Sequence, residues 1–265
     1  MKINGQAWKW LLLAIALILA TGSHTYAGGY QCSGSLNTDI ENIERARAKA
    51  QGTFVRLDRS TLKFEGYIDR GTYKEYLDAI DDEVKTLIIN STGGDTYDGV
   101  RIGLDMVKRN IDVIVDGVAV SSGANYLFTA GKRKTICRGF VGFHGNANAA
   151  LKNKKTLEES LRTFRSEAAK SGMDQEQIEE SVKENLAVMD ATIKMEKEFF
   201  AKLGISQELF DITQEEAKGL SQKMNLNFDF LLPSIRTMEK FGIRNVEGKQ
   251  DVELAERFGK FVIYY

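Results

Sequence analysis

The chain has 265 residues, of which 43% are hydrophobic and 28% are charged, and its formal net charge is −1 at pH 7. These values are ordinary for a globular protein and leave no basic excess, so we expect no nucleic-acid partner. The length is enough for one substantial core, and the single proline, Pro233, excludes a proline-rich linker.

Residues 1–27 have the pattern of a secretory signal peptide. Lys2 and Lys9 place positive charge before the apolar run Leu11–Ala20. This run is shorter than the roughly 20 residues that a membrane span needs. Thr25 and Ala27 are small residues placed for cleavage before Gly28. We therefore expect a periplasmic or secreted protein, with membrane attachment only if this segment stays uncleaved.

Residues 28–52 form a polar N-terminal arm that contains Cys32, and the only other cysteine is Cys137. An oxidising compartment permits a disulfide bond between the two. The sequence equally allows two unpaired thiols, because it does not report the distance between them.

Residues 53–150 alternate short strands and helices, and we expect them to form the core. Phe54–Leu57 and Thr61–Phe64 predict a hairpin, and Tyr73–Ile80 has apolar residues at helical spacing. From Thr86 onward, strands, glycine turns and helices repeat. The strands predicted in this part are Thr86–Asn90, Asp112–Asp116, Arg133–Cys137 and Phe140–His144. This repetition predicts an α/β fold with a parallel or mixed sheet and active loops at the strand ends.

Residues 151–203 are rich in Glu, Lys and Gln and predict two helices, separated at Ser171-Gly172, with Asp174 capping the second. The apolar stripe that supports them consists of Leu157, Leu161, Phe164, Ile178, Val182, Leu186, Met189 and Ile193. The pair fits an arm, a lid or an oligomerisation element, and equally two helices packed on the core. Residues 204–265 complete the core.

Three segments have the residues for chemistry, and the first is IINSTGGDTYDG, residues 88–99. Gly93 and Gly94 follow a buried strand directly, where glycine lets another backbone approach closely. Backbone N–H groups in such a turn suit an oxyanion hole. They also suit a phosphate cradle, although the lysine of a P-loop is missing.

The second segment is DGVAVSSGANY, residues 116–126. A strand runs into a helix through small residues, which exposes a serine near the positive end of the helix dipole. There the N–H of the following residue can stabilise an anion. Ser121 and Ser122 are thus candidates for a nucleophile, with a role as helix N-caps as the alternative.

The third segment is FVGFHGN, residues 140–146, which contains His144. The only other histidine is His24, so removal of the signal leaves a single imidazole. His144 is therefore the only ordinary candidate for a general base, unless it is a structural residue. The same count excludes a metal site with two or three histidine ligands.

Taken together, the segments STGGDxxxG, GVAVSSGA and GFHG resemble the ClpP/crotonase superfamily, and within it the proteolytic subunit of the Clp protease and its exported relatives. The resemblance covers residues 60–146. It implies an α/β fold of repeated β-β-α units, to which residues 151–203 add a helical arm. It also implies that Ser121 is the nucleophile and His144 the base, 23 positions later.

The resemblance further assigns the oxyanion hole to the backbone N–H groups of Gly93, Gly94 and Ser122. The chain departs from the family pattern at Thr92, where the family has proline. The acid of the triad is assigned to Asp211, because LFDITQEEA (209–217) is similar to the family's segment after the acid. Asp211 lies two positions closer to that segment than the family's aspartate, so Asp190 and Glu208 stay open as alternatives.

The function implied is a serine-type hydrolase that acts on a peptide or protein substrate, as a homo-oligomer and without cofactor or metal. Because an exported protein has no access to ATP, we expect the activity to be independent of ATP. Three alternatives stay open: an acyl-CoA enzyme of the crotonase branch, a Ser–Lys peptidase that uses Lys132 or Lys134, and an inactive scaffold.

Overall fold

The computed structural model describes Tyr30 and residues 52–152, 154–211, 230–258 and 261–264. The predicted signal peptide and Cys32 lie outside the described residues. In chain order the elements are β1 (Thr53–Arg56), β2 (Thr61–Ile68), α1 (Thr72–Ala79), β3 (Thr86–Gly94), α2 (Thr96–Arg109), β4 (Asp112–Val120), α3 (Gly123–Phe128, a π-helix), β5 (Lys134–Gly142), α4 (Ala147–Lys152), α5 (Lys154–Lys170), α6 (Gln175–Leu203), β6 (Phe230–Pro233), α7 (Ile235–Lys240), β7 (Val246–Gly248), α8 (Val252–Phe258) and β8 (Phe261–Tyr264).

A six-stranded sheet in the order β1-β2-β3-β4-β5-β7 forms the centre of the fold. β1 and β2 form the predicted antiparallel hairpin, and all other neighbours in this sheet are parallel. β3 and β4 are buried along nearly their whole length, as the apolar runs of parallel strands require. The predicted α/β class is confirmed, and the carboxyl ends of β3, β4 and β5 meet at one edge.

β5 corrects one prediction. The two strands expected at Arg133–Cys137 and Phe140–His144 are a single strand, Lys134–Gly142. Gly139 does not break it, because this residue has φ +93° and lies so close to β4 that a Cβ atom would overlap the Gly117 carbonyl. The glycine is therefore a regular member of the strand, paired with Gly117, and the irregularity in the β4–β5 ladder lies before it, at Cys137.

The two helices predicted in residues 151–203 are present as α5 and α6, with the break at Ser171-Gly172. Asp174 caps α6 as expected, and it forms a reciprocal capping box with Gln177. The C-terminal half of α6 buries apolar side chains against the sheet domain, among them Phe199 and Phe200. None of the helices in the described part of the chain combines the length and apolar character needed to cross a membrane.

A second, two-stranded sheet lies at the end of β5. β6 and β8 pair in parallel, and Leu231 of β6 forms an antiparallel bridge with Phe143, just beyond β5. Cys137 of β5 is disulfide-bonded. The pairing with Cys32 stays a prediction, because Cys32 lies outside the described residues.

Candidate active site

Ser121 stands at the corner where β4 passes into α3. Its N–H donates to Gly142 O (3.2 Å), and its carbonyl accepts from Asn125 N–H (2.7 Å). Its φ is +54°, in the left-handed region that costs a residue with a side chain about 1–2 kcal/mol. The other non-glycine residues with positive φ in the described ranges are asparagines, which tolerate this conformation. Strain held at a serine is typical of an exposed nucleophile on a strand-to-helix turn.

His144 follows β5 by two residues and reaches back to Ser121. Its Nε2 lies 2.5 Å from Ser121 Oγ, and its Nδ1 lies 2.6 Å from the carbonyl oxygen of Gly145. A carbonyl oxygen can only accept, so Nδ1 has the proton, and in the neutral imidazole Nε2 then presents its lone pair to the serine hydroxyl. The imidazole therefore has the tautomer that a general base needs.

The glycine turn at the end of β3 packs directly against the nucleophile. A Cβ atom on Gly93 would lie 2.6 Å from Val120 O and 2.8 Å from Ser122 N, and closer still to Ser121 Cβ. Gly93 also has φ +84°, which only glycine adopts readily. The chain therefore requires glycine here, because the turn and the serine corner share the same space.

The backbone of this turn is held by two serine hydroxyls. Gly93 N–H donates to Ser91 Oγ (3.1 Å), and the Ser91 hydroxyl in turn donates to Gly66 O (2.7 Å). Ser122 donates from its hydroxyl to Gly94 O (2.7 Å), so the corner after the nucleophile is tied to the end of β3. The predicted oxyanion-hole residues Gly93, Gly94 and Ser122 are therefore brought together with Ser121.

The contact described for the predicted acid, Asp211, is with a lysine. Its carboxylate forms an ion pair with Lys152 (2.5 Å). The alternatives Asp190 and Glu208 are exposed on the surface. The assignment of Asp211 as the acid of a triad stays a prediction, and the acceptor described for His144 Nδ1 is the Gly145 carbonyl.

The structure separates the two candidate lysines from the serine. The register of β4 and β5 pairs Lys134 with Val113, at the opposite end of the ladder from Ser121. Ser121 is eight positions after Val113 along β4, a distance of roughly 25 Å. Lys132 N–H donates to Ile111 O at that same far end. A Ser–Lys dyad with either lysine is therefore excluded by distance.

Sequence reasoning missed two residues near the pair. Phe230, at the start of β6, stacks on the His144 ring with centroids 5.6 Å apart. Glu196 of α6 is completely buried and accepts hydrogen bonds from Tyr126, Ala147 and Asn148. No motif marks Phe230, whereas Glu196 does have a signal, since it lies three residues after Ile193 on the apolar stripe of the helix.

No protein-family model and no curated protein matches the chain. Among solved structures, the ClpP protease catalytic domain from Plasmodium falciparum is 13% identical, with 83% of this chain and 94% of that chain covered and a TM-score of 0.37. A ClpP1 variant from Listeria monocytogenes is 16% identical, covering 74% and 95%, with a TM-score of 0.36. An enoyl-CoA hydratase/isomerase family protein from Silicibacter pomeroyi is 17% identical with a TM-score of 0.24. That match covers 34% of this chain and 52%, about half, of the other.

Proposed function

We propose that the chain is an exported serine hydrolase, a peptidase that works without ATP, with Ser121 as nucleophile and His144 as general base. One observation carries the proposal. His144 Nε2 lies 2.5 Å from Ser121 Oγ, while Nδ1 donates to the Gly145 carbonyl. This geometry supports proton transfer from the hydroxyl to the imidazole as the serine attacks.

The reaction proceeds by acyl transfer to water. Ser121 Oγ bonds to the carbonyl carbon of the peptide, and its proton passes to His144 Nε2. The tetrahedral intermediate then breaks its C–N bond, and His144 gives the proton to the leaving amine. A water molecule next attacks the acyl-enzyme, again with His144 as base, and releases the acid and the free serine.

The negative charge of the intermediate is stabilised by the backbone N–H groups of Gly94 and Ser122. Asp95 N–H donates to Ile68 O on β2 (2.6 Å), and the Ser122 hydroxyl donates to Gly94 O, so Gly94 is held between β2 and the serine corner. The Gly93 N–H is already bonded to Ser91 Oγ, which leaves Gly94 as the better donor from this turn. Removing one such donor typically costs about 3–4 kcal/mol of transition-state stabilisation.

Export and assembly belong to the same proposal. The pattern of residues 1–27 supports a periplasmic or secreted location, and the disulfide bond of Cys137 agrees with an oxidising compartment. Such a compartment supplies no ATP, so the substrates are small or flexible peptides and not folded proteins. The motif resemblance supports a homo-oligomer.

The test combines a fluorophosphonate probe with hydrolysis of a fluorogenic peptide in the absence of ATP. We expect the wild-type chain to be labelled and active. Ser121→Ala keeps the Cβ atom and the strained backbone, but it abolishes labelling and lowers kcat by about 10³-fold or more. His144→Ala gives a similar loss, whereas Ser171→Ala, in the turn between α5 and α6, leaves both unchanged.

The contrary outcomes point to different functions. Labelling of Ser121→Ala at the wild-type rate would overturn the nucleophile. Normal hydrolysis by His144→Ala would require another base. A folded wild-type chain that neither reacts with the probe nor cleaves peptides would instead be a binding scaffold.

A further inference from the structure

We propose that Glu196 is a positioning residue of this site, which holds the loop after His144 against the helix after Ser121. The inference rests on the proposed hydrolase function. Glu196 lies on α6, and its hydrogen bonds go to the two segments that follow the reacting residues instead of to those residues. It acts on the chemistry only through them.

The first step concerns the carboxylate itself, which is completely buried. Burying an ionised carboxylate costs on the order of several kcal/mol unless hydrogen bonds satisfy its oxygens. Here Oε1 accepts from the Tyr126 hydroxyl and from Ala147 N–H (3.0 Å), and Oε2 accepts from Asn148 N–H (2.9 Å). Burial raises the pKa of the Glu196 carboxyl, while the three hydrogen bonds act in the opposite direction because they favour the ionised form.

The second step concerns the serine side. Tyr126 belongs to α3, the helix that Ser121 leads into, and it is completely buried. Burial raises the pKa of the Tyr126 hydroxyl well above its ordinary value, so this group stays a proton donor to Glu196. A Cβ atom on Gly99 would contact both the Tyr126 ring and Ser122 Cβ, which shows that the ring packs beside the serine corner.

The third step concerns the histidine side. Ala147 and Asn148 begin α4 and lie three and four residues after His144. Between them and the imidazole is Gly145, whose carbonyl accepts from His144 Nδ1. Glu196 therefore fixes the short segment that contains the acceptor on which the tautomer of the base depends.

A purely structural role makes a different prediction. If Glu196 were only an internal anchor, its loss would lower the stability of the fold and leave the imidazole as it is. If it positions the site, its loss releases Gly145 and changes the hydrogen bonding of Nδ1. The tautomer of His144 separates the two roles, and it can be measured whether or not the chain hydrolyses peptides.

The experiment uses Glu196→Gln in the full chain. The amide keeps the shape but has one acceptor oxygen, so one of the two backbone N–H groups loses its partner. The chain has two histidines, and the ¹⁵N NMR signals of His144 are identified by their loss in His144→Gln. We expect the Nδ1–H tautomer in the wild type and a mixture of tautomers in Glu196→Gln. We also expect kcat to fall about tenfold or more while KM changes less than about twofold.

Thr192→Val is the matched control on the same helix. Thr192 is equally buried, but its hydroxyl donates to Val188 O of its own helix (2.8 Å). We expect this variant to lose stability and to keep the wild-type tautomer and kcat.

Tyr126→Phe serves as a second variant in case Glu196→Gln does not fold. It removes one donor from Glu196 and keeps the charge and both backbone bonds, and we expect a smaller change of the same kind. A folded variant of either residue with the wild-type tautomer overturns the positioning role. Absence of hydrolysis in the wild type overturns the proposed function alone, since the tautomer comparison still decides the role of Glu196.

Discussion

Replacement of Gly93 by alanine tests the contact between the glycine turn and the nucleophile. A Cβ atom at this position would lie 2.6 Å from Val120 O and 2.8 Å from Ser122 N. These are backbone atoms, so relief to an ordinary contact of about 3.5 Å requires the turn and the serine corner to separate by about 1 Å. A displacement of this size in an active site costs about 10²-fold in rate. We therefore expect Gly93→Ala to lower kcat about a hundredfold.

Gly172→Ala is the matched control for the backbone strain. Gly172 has φ +91°, close to the +84° of Gly93, but nothing lies within 4 Å of the Cβ position. Both variants lose about 1–2 kcal/mol of unfolding free energy from the left-handed conformation, and only Gly93→Ala loses activity. The assays are urea unfolding, kcat for a fluorogenic peptide and the rate of fluorophosphonate labelling. A folded Gly93→Ala chain with the kcat and labelling rate of Gly172→Ala would refute the proposed role of this turn.

Two further predictions concern charged residues. If Asp211 is the acid that orients His144, Asp211→Asn should lower kcat by a factor on the order of 10⁴. If Asp211 serves only in the ion pair with Lys152, the same change should lower kcat less than about threefold. The observed ion pair favours the second result. Burial lowers the pKa of Lys134 from 10.5 to about 8. Between pH 8 and 10.5 the unfolded chain binds more protons than the folded chain, so the stability of the fold rises with pH. The unfolding free energy of the wild type, relative to that of Lys134→Met, should therefore increase by up to about 3 kcal/mol from pH 7 to 10.5. A constant difference across that range would contradict a desolvated lysine.

The main parts of the site were predictable from sequence because they are local. Gly93 lies at the end of one apolar strand, and Ser121 and His144 each follow another. The parallel order of these strands brings their ends to one edge of the sheet. The chemistry of the pair then follows from residue type, since the only imidazole outside residues 1–27 is that of His144.

The role of Glu196 in holding the two segments that follow Ser121 and His144 was not predictable in the same way. Glu196 lies in a segment with many other charged residues, and its partners depend on how α6 packs across the domain. The apolar stripe nevertheless contains a signal, because Ile193, Glu196 and Phe200 lie three and four residues apart, and a carboxylate on a buried stripe needs buried donors.

The continuity of β5 depends on a neighbour that is distant in sequence. Gly139 in isolation indicates a break between two strands. In the fold it pairs with Gly117 of β4, whose backbone lies so close that a Cβ atom on Gly139 would overlap the Gly117 carbonyl. Sequence patterns report local preference, and this pairing of glycines becomes visible only when the two strands lie side by side.

The most direct test of the central claim is the position of a fluorophosphonate adduct, mapped by mass spectrometry of peptides from the labelled wild-type chain. We predict a single adduct on Ser121, strongly reduced in His144→Ala. An adduct on another residue, or none on a chain shown to be folded, would contradict the assignment of Ser121 as the nucleophile.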